Sequence, residues 1–64
     1  MSRLYDIMDI EVAGQLNVSV ETYINIIENK CNQEERDFII LTILDENEKE
    51  MSMAKYIFNS YLHE

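Results

Sequence analysis

The single cysteine and the single histidine of this sequence, Cys31 and His63, are the pair whose types could do nucleophilic chemistry together. A thiol attacks as the thiolate, and a neighbouring base must hold it in that form. Cys31 falls in a polar connector, Asn29-Lys30-Cys31-Asn32, while His63 is the penultimate residue. Pairing them would require the end of the chain to fold back onto that connector, which nothing in the sequence demands. Cys31 therefore reads as a partly buried thiol and His63 as a frayed terminal imidazole.

The other candidate chemistries fail on spacing. Asp45-Glu46-Asn47-Glu48-Lys49-Glu50 has the oxygen-rich look of a calcium loop. Such a loop needs Gly at its sixth position, where Glu50 stands, and a bidentate Glu at its twelfth, where Tyr56 stands. No Cys/His cluster exists for zinc, and Gly14 is alone, so no Gly-rich loop cradles phosphate. The carboxylate pairs Glu34/Glu35 and Glu48/Glu50 fall in exposed first turns of expected helices. Catalytic carboxylates need burial to shift their titration. The expectation is no catalytic centre, no metal and no cofactor.

Composition narrows the class further. A chain of 64 residues makes at most one domain. Such a chain buries only about 60% of its unfolded surface, so its core must be packed efficiently or shared with another copy. Apolar residues at 47% argue for a folded chain, and the absence of Pro with a single Gly favours helix over linker. With 13 Asp and Glu against 5 Lys and Arg, the net charge is −8. That sign suits a partner with a basic surface, although it also serves solubility alone. One cysteine cannot form an internal disulfide, the first residues lack a signal-peptide core, and the apolar run from Phe38 to Leu44 is far short of a membrane span. A cytoplasmic protein is expected. The abundance of Ile, Asn, Lys and Glu hints at an AT-rich genome, and a tiny acidic regulator suits a phage or mobile element.

The elements that would position these residues are helices throughout. Residues 2–8 read as a short helix capped by Ser2, with Leu4, Ile7 and Met8 inward. Asp9 then caps a helix from Ile10 to Leu16 whose inward stripe is Ile10, Ala13 and Leu16. A turn at Asn17-Val18 follows, Asn being the residue besides Gly that best tolerates the left-handed conformation. Ser19 caps a helix to about Asn29 that is apolar on two sides, Tyr23/Ile26/Ile27 and Val20/Ile24/Ile27. Asn32 and Glu35 form a capping box opening a helix from Gln33 to about Leu44, preferred over a strand despite its β-branched run because no second strand exists to pair with it. Asp45 with Glu48, or Asn47 with Glu50, would cap a last helix, 48–62, with Met51, Ala54, Ile57, Phe58, Tyr61 and Leu62 in one stripe. The expected fold is all-α, a small bundle of four to five helices.

The run Glu11 to Ile27 carries a resemblance. Small Ala13, Leu16, Asn17-Val18-Ser19, then Tyr23 and Ile26, resembles the helix-turn-helix of bacterial regulators, especially the MerR-type and resolvase-type versions. The resemblance implies that Val12, Ala13, Leu16, Val18, Tyr23 and Ile26 are internal. It also implies that Ser19, Val20, Glu21, Ile24, Asn25 and Glu28 form the face that enters the major groove in DNA-binding relatives.

That face has the wrong chemistry for DNA. Base and phosphate contacts want Arg, Lys, Asn or Gln, and here only Asn25 qualifies. As a protein contact it is better formed: Val20 and Ile24 as an apolar patch, rimmed by Glu21 and Glu28. Packing of Val20 and Ile24 under the last helix is the simpler alternative. The expected partner is therefore another protein, one with a basic surface such as a DNA-binding protein, bound through Val20, Glu21, Ile24, Asn25 and Glu28 by an anti-repressor or inhibitor. A dimeric DNA-binding regulator is the second reading and an acidic DNA mimic the third. Should the chain dimerise, Met51, Lys55, Tyr56 and Phe58 are the expected self-association surface.

Overall fold

The computed structural model describes residues 6–64. Four helices follow in order: α1 Ile7–Gln15, α2 Val20–Asn29, α3 Gln33–Leu44 and α4 Glu48–Leu62, and no strand occurs among the described residues. The chain is an all-α small bundle, as its composition and periodicity require.

The first helix departs from expectation. The anticipated cap Ser2 and inward Leu4 lie outside the described residues. Asp6, not Asp9, is the cap: its Oδ1 accepts from the Asp9 backbone N–H at 2.9 Å. Starting three residues earlier, α1 is one continuous helix with Val12, Ala13 and Leu16 on its buried side. Ile7, Met8 and Ile10, expected inward, are 84%, 49% and 53% exposed. The difference has a geometric cause: at 3.6 residues per turn Ile10 lies about 160° around the helix from Val12 and about 120° from Leu16, outside the buried stripe that those two centre.

The end of α1 is set by Asn17, whose φ of 62° is the left-handed turn. The Val18 N–H donates to the Ala13 carbonyl at 3.1 Å and the Asn17 N–H to the Gly14 carbonyl at 3.1 Å, the paired bonds of a Schellman motif. Ser19 Oγ then accepts from the Thr22 N–H at 3.2 Å and starts α2. The capping box is present as anticipated: Asn32 Oδ1 accepts from Glu35 N–H at 2.8 Å and Glu35 Oε1 from Asn32 N–H at 3.0 Å. A second Schellman motif closes α3, with Asn47 N–H on the Thr42 carbonyl at 3.1 Å and Glu46 N–H on the Ile43 carbonyl at 3.2 Å. It forces Glu46 to a φ of 52°, where a side chain costs energy that Gly would not. The caps anticipated for α4 are not made; Asn47 holds the cap position without a side-chain bond.

These ends aim four stripes at one centre. Val12, Ile39, Ile43, Ala54 and Phe58 have no exposed surface, and Tyr23, Ile26 and Ile27 nearly none. The Tyr23 and Phe58 rings stack with centroids 6.2 Å apart and planes at 28°. Phe58, placed by the sequence on a self-association surface, is thus a core residue. Burying an aromatic ring of this size contributes about 3–5 kcal/mol by truncation. The whole stability of a 64-residue domain is on the order of 3–10 kcal/mol.

Phe58→Ala is therefore expected to abolish cooperative unfolding or lower the urea midpoint drastically, read by far-UV circular dichroism. Glu46→Gly should move the other way, raising stability by about 0.5–1 kcal/mol through relief of the left-handed residue, read in the same titration.

Candidate protein-interaction surface

The outward side of α2 carries Glu21, Asn25 and Glu28, all exposed, while Val20 and Ile24 are half-buried and pack against the core. Helical spacing explains the split. Val20 and Ile24 stand on the flank next to Tyr23 and Ile27, so the bundle takes part of their surface and leaves the rest as an apolar border to the carboxylates. Asn25, the one side chain suited to reading a base edge, already accepts from Asn29 Nδ2 at 2.8 Å. Glu21 lies in the first turn, where the helix dipole favours an acid.

Among the described residues the cations are distributed over the C-cap of α2, α3 and α4. None lies within Val20–Asn29. Lys30, at the C-cap of α2, pairs with Glu64 at 3.5 Å. Arg36 is in the first turns of α3 and donates to the Gln33 side chain. Lys49 and Lys55 are on α4, separated by about 120° around the helix at 3.6 residues per turn. Of the expected self-association set, Lys55 and Tyr56 are exposed, Met51 is half-buried against the core, and Phe58 is internal.

The C-terminal turn does fold back onto the α2–α3 connector, contrary to expectation. Tyr61 Oη donates to Glu35 Oε1 at 2.6 Å, so one carboxylate oxygen serves both the capping box and the last helix. The Tyr61 bond, followed by the Asn32 backbone bond, holds the Glu35 carboxyl below its ordinary 4.5. The same bond raises the Tyr61 hydroxyl from 10.0 to about 12. Cys31 sits in this neighbourhood, and its thiol is pushed up by burial and then by Glu35, partly offset by Arg36. That direction favours the protonated thiol, the reverse of what a nucleophile needs. Sequence reasoning missed the latch because a capping Glu has an adequate local role, and only the amphipathic position of Tyr61 pointed toward α3.

Among the described residues no group of three or more His, Cys, Asp or Glu is placed to hold a metal ion, and no pocket is enclosed. No helix there is long and apolar enough to cross a membrane. No protein family, curated protein or solved structure matches this chain.

The latch predicts a pH dependence. Because the Glu35 carboxyl is lowered on folding, its contribution is present above 4.5 and lost as pH falls through the lower folded value. Tyr61→Phe should therefore flatten the acid side of the stability profile while leaving helical content at neutral pH unchanged, measured by urea titrations between about pH 3 and 6.

Proposed function

We propose that this chain is a small acidic regulatory protein that works by binding another protein with a basic surface, such as a DNA-binding regulator, as an inhibitor or anti-repressor. The observation that carries the reading is the face of α2: Glu21, Asn25 and Glu28 exposed, Val20 and Ile24 along their border, and no cation within Val20–Asn29. In the helix-turn-helix reading of α1, Asn17 and α2, this is the helix that would meet DNA. Phosphate neutralisation by Lys and Arg supplies most non-specific DNA affinity, and carboxylates in that position repel the backbone. Against a basic protein the same carboxylates steer association, while the apolar border supplies contact area. The half-buried single thiol of Cys31 suits a reducing cytoplasm.

The surface substitutions Glu21→Lys and Asn25→Lys should change stability by less than about 0.5 kcal/mol. They should abolish capture of the partner from lysate of the native host. The wild-type protein should give no mobility shift on duplex DNA at about 50 mM salt. A shift that disappears steeply by about 200 mM salt would assign the motif to DNA instead.

A further inference from the structure

Among the described residues the exposed large apolar side chains are unevenly distributed. Ile7, Met8 and Ile10 lie within one turn of α1, whereas Leu41, Met53 and Tyr56 are spread over α3 and α4. Ile7 and Ile10 stand at i and i+3, and Gly14 completes the row at i+7, on the side of α1 away from Val12 and Leu16.

Gly14 has no reason within the fold to be glycine. Its backbone φ is not positive, and a Cβ built there would meet nothing within 4 Å. A helical Gly loses stability relative to Ala, so the missing methyl serves something outside the chain or nothing at all. A glycine in line with two exposed isoleucines gives a shallow slot into which another helix can settle closely. The border of that slot is acidic: Asp6 is one turn from Ile10 and Glu11 one turn from Ile7, while α1 holds no Lys or Arg. Two copies meeting face to face would set these carboxylates against their own equivalents, on molecules already at −8. A helix with an apolar row flanked by Lys or Arg has the complementary charge.

We propose that the outward face of α1, Ile7, Ile10 and Gly14 between Asp6 and Glu11, is a docking site for a basic amphipathic helix of another protein. The site is separate from the α2 face and stands or falls independently of it.

The probe is a fluorescent peptide of about 18 residues built from Leu, Ala and Lys, with Leu on one helical face, followed by anisotropy at about 150 mM salt. The full chain is expected to bind it, and to bind neither a scrambled peptide of equal charge nor one with Glu in place of Lys. Ile7→Ser combined with Ile10→Ser should keep the fold and weaken binding at least about tenfold. Gly14→Ala should raise the thermal midpoint by a few degrees while weakening binding about fivefold, opposite movements that a structural role alone would not produce. Glu21→Lys, which tests the α2 face, should leave peptide binding unchanged. Equal binding by wild type and the Ile7/Ile10 variant would overturn the proposal, as would peptide binding lost only in Glu21→Lys. Sedimentation showing a wild-type dimer that the Ile7/Ile10 variant dissolves would assign the face to a second copy. Binding seen only after removal of residues 1–5 would assign it to the chain itself. Either result also overturns the proposal.

Discussion

The stacking of Tyr23 on Phe58 joins two helical pairs, α1 with α2 and α3 with α4, into one core. Each pair is tied internally by a short turn, but a pair of helices this short cannot shield its apolar stripe alone. The ring contact brings the second and fourth helices together, with Ile39 and Ile43 of α3 and Val12 of α1 filling the same interior. Burial lifts the Tyr23 hydroxyl to about 12, with Asp9 and Asp6 adding to the shift, so the ring stays neutral where it packs. In a domain this small every fully buried side chain matters, and such residues are not available for binding. Phe58 illustrates the rule.

Packing also explains how the surface is divided. The core draws Val20 and Ile24 halfway in and leaves α2 with a carboxylate face. It turns α1 so that Val12, Ala13 and Leu16 are consumed and Ile7 and Ile10 are not. A chain that buried its isoleucines indiscriminately would have no apolar surface to offer a partner. Of the six large apolar side chains left exposed among the described residues, three, Ile7, Met8 and Ile10, lie at one helix end beside Asp6 and Glu11.

The latch acts on a different scale. Tyr61 and Lys30 tie the last turn of α4 to the α2–α3 connector through Glu35 and Glu64. Partly exposed contacts of this kind add a modest share of global stability, because water competes for the same groups, and acid removes the Glu35 part of that share.

Residue types and short spacings alone determined the all-helical class, the extents of α2, α3 and α4 and several helix ends. Asn17, Ser19 and the Asn32/Glu35 box act through neighbours three or four residues away, so their roles are written locally. The inward residues Ala13, Leu16, Tyr23 and Ile26 were legible for the same reason, since a helical period read over two turns marks its buried side. The start of α1 was not legible, because Asp6 and Asp9 are equally good caps and only the continuous helix chooses between them. Nor was the fate of Ile7, Ile10 and Phe58, which share their chemistry with core residues and surface residues alike. Which apolar side is buried depends on the rotation of each helix about its axis. Contacts between α1 and α3 and between α2 and α4 set that rotation, through residues distant in the chain. The tie from Tyr61 to Glu35 belongs to the same class, for it joins residues that no helical spacing connects.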